Sequence, residues 1–309
     1  MADLRAALLV ERASTRKASR WTIIASAAVV GLLVLGVLVT AGPFLAALWM
    51  SLKPPSDALQ GIYLTNNWSL QNYIEAWTIG GINQFLITTA IYAVLGTLCT
   101  VTASALAGYA FARLHFPGRD ICFTLMLLTM MIPGSVTIVP LIVVMLRLPL
   151  LGGNDILGQG GLGLYNTMTG LVLPSLAAPA SIFLLRQFFK VLPSELEDAA
   201  RIDGAGEFQI WWQVMLPLSG PGLATVALLS FQGHWNSYFW PLVMSSSNEL
   251  VTMTVGLSAL QAQGSSVTWC KCVYPATMAG SILAVAPIFL LFLIGQRYFR
   301  QGIALTGFK

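Results

Sequence analysis

The chain has 309 residues, of which 56% are hydrophobic and only 9% charged, with a formal net charge of +4. Soluble domains average about 25% charged residues, so an ordinary cytosolic enzyme and a disordered protein are both excluded. The sequence pI near 9.0 does not point to a nucleic-acid binder, because the charges avoid most of the chain. The composition is that of an integral membrane protein.

A helix needs about 20 mostly apolar residues to cross the hydrocarbon core, and a charge at its centre is costly. Six intervals contain no Asp, Glu, Lys or Arg over 25 residues or more: 21–52, 76–112, 121–146, 156–185, 208–248 and 272–296. They predict an all-α membrane protein with six transmembrane helices. The spans fall at about 21–50, 84–111, 121–146, 164–189, 219–243 and 276–298. An arm (1–20) precedes them, a loop (190–218) interrupts them, and a tail (299–309) follows. A seventh gap, 250–270, includes Gln261-Ala262-Gln263-Gly264-Ser265-Ser266. That polar run is poor lipid-facing material and reads as a loop.

The hydrophobic segment after the basic arm runs to about 30 residues, where a cleavable signal has an apolar core of about 7–15. It reads as a retained first span headed by an interfacial Trp21. Cys99 and Cys122, inside the second and third spans, read as small packing residues. The third span is interrupted by Pro133, Gly134 and Pro140. Membrane helices tolerate such breaks where neighbours satisfy the freed carbonyls, so a packing kink and a flexing hinge both fit. Pro174, Pro179 and Pro287 carry the same two readings. His234, Trp235, Asn236 and Tyr238 form a polar and aromatic cluster in the fifth gap. Such groups line sugar pathways, and they also glue membrane helices together. The external stretches 53–83 and 244–275 carry Trp68, Trp77 and Trp269, residues that favour protein interfaces when exposed. Cys270 and Cys272 stand one residue apart, a spacing short for zinc and strained for a disulfide.

An even number of spans puts both termini on one side. That side carries Arg5, Arg12, Arg16, Lys17, Arg20, Arg113, Arg119, Arg186, Lys190, Arg201, Arg297, Arg300 and Lys309, against Lys53, Arg147 and Lys271 opposite. The positive-inside bias places both termini in the cytoplasm.

The two histidines, His115 and His234, cannot build a multi-histidine metal site. No lysine follows a glycine, so the P-loop signature is impossible and ATP cannot be bound that way. The six gaps hold one titratable imidazole, His234, and no carboxylate, whereas ion-coupled carriers usually need intramembrane ionisable groups or broken-helix ion sites. Transport energy is therefore expected from another subunit, with no cofactor on this chain and no bond made or broken in it.

One loop on the basic side opposes the bias. Glu195, Glu197, Asp198, Asp203 and Glu207 cluster around a single base, Arg201. Ser194 and Glu197 have capping-box spacing, acids fill the first turn, and Gly204 is a natural stop. They predict a helix over 195–203, too short to be stable alone in water, and a second over about 207–215 with an aromatic face. A solvated acidic face and a surface that docks a partner both fit.

Glu197-Asp198-Ala199-Ala200-Arg201-Ile202-Asp203-Gly204-Ala205, followed by Leu216-Pro217, resembles the EAA loop of ABC-importer permeases. Asp198 stands at the position of the motif's glutamate, and Gly204 at that of its glycine. Trp49-Met50-Ser51-Leu52-Lys53-Pro54, Gly108 to Leu114, Phe116-Pro117-Gly118-Arg119, Met131-Ile132-Pro133 with Pro140-Leu141, Trp235-Asn236 with Trp240-Pro241-Leu242, and Gly302 to Gly307 are similar to sugar-uptake permeases. The likeness is to the shorter permease of maltose- and glycerol-3-phosphate-type pairs. It implies a type I ABC importer permease fold in the cell membrane and a coupling helix built from Glu197, Asp198, Ala199, Ala200, Arg201, Asp203 and Gly204. It also implies a second homologous permease, two cytoplasmic ATPase subunits that bind ATP and Mg, and an extracytoplasmic substrate-binding protein, with no nucleic acid. A channel or ion-coupled carrier working without an ATPase, and an importer of amino acids or metal ions, are the competing classes.

Overall fold

The computed structural model describes residues 2–54, 67–78, 80–266 and 273–306, and the side chains of 22–54, 67–78, 80–262 and 275–294. Trp21, Trp269, Cys270 and Cys272 lie outside the described side chains. Among the described residues every regular element is helical. Three helices are long and apolar enough to cross a membrane: Thr22–Ser51 within α1 (Ala2–Ser51), α3 (Ile82–Arg113), and Pro275–Ile294 within α13 (Val273–Thr306). Three bent pairs raise the number to six if each pair is one span. Helix α1 includes residues 2–20 of the stretch read as arm, and α13 includes residues 299–306 of the stretch read as tail.

The bent pairs fall on the third, fourth and fifth gaps. α4 (Arg119–Thr129) and α5 (Gly134–Leu146) meet at 106°. The turn closes through three-residue bonds such as Met131 N–H to Leu128 O (3.1 Å) and Ile132 N–H to Thr129 O (3.2 Å). Pro133 then starts the new helix as its N-cap. This is a corner rather than a kink, and it lies wholly at 130–133. Pro140 sits inside α5, where the helix continues through it. α6 (Met168–Val172) runs into a 3₁₀ turn, Leu173–Leu176, and meets α7 (Pro179–Val191) at 43°. α9 (Glu207–Leu218), whose middle Trp211–Met215 is π-helical, meets α10 (Gly220–Trp235) at 79°. Pro217 and Pro221 flank that corner and withhold backbone donors there.

α3 is the central strut, packed on α7 and α10. Gly96, Thr100, Ser104 and Gly108 recur every fourth residue and are all buried, a stripe of small residues that lets helices approach closely. A Cβ on Gly108 would stand 3.1 Å from the Arg186 backbone nitrogen. Near one end, Ala105 and Tyr109 join Leu185, Phe189, Ile210, Trp211, Met215 and Val226 in one core. Nearer the other, Tyr92 packs with Met145, Leu164, Leu171, Val172 and Met244, the last residue of α11 (Phe239–Met244).

The gap 250–270 does not form a loop throughout. α12 (Met253–Ser266) occupies most of it, with Met253 and Val255 buried and Met253 N–H donating to Thr89 Oγ1 (2.7 Å). Its contacts with α3 and α13 outweigh the polar composition of its second half. Its 14 residues fall short of the roughly 20 that a span needs. On the same side, α2 (Gln71–Thr78) is clipped to the end of α1 through Asn72, whose amide donates to Ser51 O (2.8 Å) and Lys53 O (2.6 Å). Trp68 packs edge-on against Trp49 with ring centroids 4.7 Å apart.

Candidate functional site: an acidic helix and a polar cleft

α8 (Glu195–Ile202) occupies the position read from the acidic cluster, with Asp203 as C-cap. Gly204 has φ +86°, Ala205 N–H bonds to Ala200 O (3.0 Å) and Gly204 N–H to Arg201 O (3.0 Å). This pair of bonds is a Schellman stop, which needs the left-handed residue that glycine supplies. Gly204→Val places a β-branched residue there at a cost of about 1–2 kcal/mol. Limited proteolysis of this loop in the purified protein is expected to speed up several-fold.

The N-terminal end differs from the sequence reading. Ser194 makes no side-chain cap, and Glu197 turns inward instead, 3% exposed, with Oε1 at 3.2 Å from Arg113 Nε. A buried guanidinium offers a carboxylate more than a free amide does. Arg113, the last residue of α3, donates from Nε and Nη2 to Phe189 O (3.1 and 2.7 Å) and from Nη2 to Leu192 O. It thereby supplements the single backbone bond to Phe189 O, from Leu192 N–H (3.3 Å), and gives Leu192 O, just past the end of α7, a donor. One guanidinium joins α3, α7 and α8. Glu197 Oε1 meets Arg113 at ion-pair distance without an aligned hydrogen bond. Burial raises the Glu197 carboxyl above its ordinary pKa against the downward pull of Arg113 and Arg201.

Asp198 lies on the outer face and pairs with Arg201 (3.1 Å). Arg201 also reaches Glu197 (3.7 Å) and Glu207 (3.0 Å), and Tyr109 donates its hydroxyl proton to Glu207 Oε2 (3.2 Å). Ala200 packs against the core. Leu196, Asp198, Ala199 and Asp203 are exposed, and Ile202 is 87% exposed. On α9, Ile210, Trp211 and Met215 are buried while Phe208 and Trp212 face outward. The outward surface is apolar and acidic together.

A cleft of about 380 Å³ opens where the corner between α4 and α5, the joint before α7 and the end of α10 converge. Tyr92, Thr137, Ser181, Ser230, His234 and Trp240 give it hydrogen-bonding groups and aromatic faces, and Gly134 lies on its wall. His234 packs directly over Gly96, where a Cβ would come within 2.9 Å of the ring. Its Nε2 lies 3.4 Å from Thr100 Oγ1, and Tyr92 meets it edge-on at 5.3 Å.

His234 alone of the polar-aromatic cluster lines this cleft. Trp235 is 4% exposed and donates from Nε1 to Ala284 O on α13 (3.0 Å), which makes it a helix-helix contact. Asn236 caps α10 and is exposed. Tyr238 packs on Phe239 and accepts from Ser258 Oγ (3.4 Å). Beyond the likeness to sugar-uptake permeases, sequence reasoning did not single out Trp240, which lines the cleft and whose Nε1 donates to Leu171 O (3.1 Å) at the broken fourth span. It counted Arg113 as a topogenic base and as part of the Gly108 to Leu114 likeness, with no role in coupling. The polar run Asn236-Ser237-Tyr238 just before Trp240 and the terminal position of Arg113 were the available signals.

Among the described residues no three His, Cys, Asp or Glu side chains gather to hold a metal ion. A cleft between broken helices, with a short helix held at the end of the bundle by ion pairs, is suited to passage and motion. These features define a membrane transport subunit.

Residues 100–305 match the family described as binding-protein-dependent transport system inner membrane component, and the chain belongs to that family. It is 33% identical over 272 residues to the arabinooligosaccharides transport system permease protein of Halalkalibacterium halodurans, covering 86% of this chain and 90% of the relative. It is 30% identical over 281 residues to the diacetylchitobiose uptake system permease protein of Streptomyces coelicolor (90% and 87%). To the sn-glycerol-3-phosphate transport system permease protein of Yersinia pestis it is 35% identical over 240 residues (75% and 79%). Its fold is that of a chain in the crystal structure of a bacterial ABC transporter involved in import of the acidic polysaccharide alginate. The TM-score there is 0.73 at 24% identity, over 88% of this chain and 95% of that one.

Proposed function

We propose that this chain is one membrane half of an ATP-driven importer of a sugar or polyol derivative, with six spans and both termini in the cytoplasm. A second homologous permease completes the pathway, two ATPase subunits power it with α8 docked in a cleft on one of them, and a substrate-binding protein delivers cargo from outside. The named substrates of the relatives, arabinooligosaccharides, diacetylchitobiose and glycerol-3-phosphate, support the cargo class. The observation that carries the coupling role is the Arg113–Glu197 joint. It ties α8 to α3 and α7, and these same helices present Tyr92 and Ser181 to the cleft. A push on α8 therefore reaches the pathway through rigid elements rather than through a loop.

Reconstitution tests the reading. Vesicles holding this chain alone should take up no sugar, and uptake should appear only with the companion subunits and ATP. Uptake by the lone chain would favour the ion-coupled carrier or channel. A substitution tests the pathway. Gly233 lines the cleft, and a Cβ there meets nothing within 4 Å. Gly233→Phe should fill the cleft without disturbing packing, and uptake should fall at least tenfold while assembly and basal ATP hydrolysis persist.

A further inference from the structure

At the end of the bundle beside α8, a second cavity of about 330 Å³ lies between α3 and α4, lined by His115, Phe116, Gly118, Arg119, Asp120 and Ile121. Arg119 lines the cavity, and Arg186 and Lys190 of α7 stand close enough to act electrostatically on Asp120. Asp120 is the one carboxylate there, its side chain 77% exposed, and it is paired with Arg119 at 3.1 Å. Arg186 is 8% exposed. It donates from Nε to Phe111 O (3.1 Å) and lies 3.9 Å from the centroid of the Phe123 ring. Among the described residues no carboxylate forms an ion pair with Arg186 or Lys190. A guanidinium removed from water with no carboxylate in ion-pair contact is costly, and three cations against the one carboxylate Asp120 leave an excess of positive charge that calls for an anion.

The apolar surroundings narrow what that anion belongs to. Ile121, Leu125 and Leu128 lie at i, i+4 and i+7 on α4 and are exposed, as are Phe116 and Phe183. The stripe leads from the cavity, through Ile121, along the membrane-spanning part of the chain. A free phosphate has no use for it. A cytoplasmic protein cannot follow it into the bilayer.

We propose that Arg119, Arg186 and Lys190 with the His115–Ile121 cavity form a binding site for the headgroup of an anionic phospholipid of the inner leaflet, its acyl chains lying along Ile121, Leu125 and Leu128. Basic pockets at the cytoplasmic ends of membrane helices bind such headgroups. The site rests on the orientation given above and is independent of the coupling role of α8.

The test places the full-length chain in nanodiscs of phosphatidylcholine with or without phosphatidylglycerol and counts lipids retained on release by native mass spectrometry. Phosphatidylglycerol should be retained in preference. Arg119→Gln and Lys190→Gln should each weaken that preference about fivefold, the equivalent of about 1 kcal/mol per basic residue near the surface. Arg147→Gln, on the opposite side, should leave it unchanged. Asp120→Asn, which removes the competing carboxylate, should strengthen it, an outcome that a misfolded variant cannot produce. Inorganic phosphate should not displace the lipid. Equal retention of both lipids, displacement by phosphate, or an unchanged preference in the Arg119 and Lys190 variants would overturn the proposal.

Discussion

Arg113→Met is expected to destabilise the subunit by about 3–5 kcal/mol, the usual cost of removing one partner of a buried ion pair. Glu197 would remain as a buried charge with only the longer contact to Arg201 (3.7 Å), and the Phe189 and Leu192 carbonyls would lose the bonds from the guanidinium. Thermal unfolding in detergent should show a lower midpoint. The double variant Arg113→Met with Glu197→Met should recover much of the loss, since removing both charges eliminates the desolvation penalty. It should still transport poorly, because α8 would no longer be tied to α3. A double variant with full uptake would show that force does not travel through this joint.

The second large effect concerns the outer face of α8. Ile202→Asp with Asp198→Lys changes only exposed side chains, so insertion and stability should be preserved. Truncating a central interface anchor commonly costs about 2 kcal/mol or more, so the ATPase subunits should dissociate at least tenfold more readily and uptake should collapse. Reversing Glu197 is the less informative experiment. Its carboxylate faces Arg113 inside the protein, and a lysine there would oppose a buried guanidinium and damage the fold itself.

How far the sequence revealed this arrangement depended on which interactions were local. The acidic helix and its glycine stop were legible because capping chemistry operates within a few residues, and the observed helix ends within one residue of the expected bound. The inward turn of Glu197 was not legible, because its partner Arg113 lies far along the chain, and a capping box and an ion pair begin from the same spacing. The break at 130–133 was visible as Pro133-Gly134, but its 106° angle is set by the packing of α4 and α5 on different neighbours. The helical state of Met253–Ser266 was hidden by its polar second half, since Phe85 and Thr89 of α3 supply the surface that holds it. Trp235 and His234 are adjacent yet face different partners, Ala284 and the cleft. That division follows from the helix's rotation against its neighbours, which charge gaps do not encode.

Ile202→Cys, introduced into a chain lacking its four native cysteines, tests the central claim most directly. A membrane-impermeant thiol reagent should modify this position in inverted membrane vesicles and not in intact cells, and bound ATPase subunits should protect it. Modification from outside intact cells, or equal reactivity with and without the ATPase subunits, would contradict the placement of α8 as the point where the chain is driven.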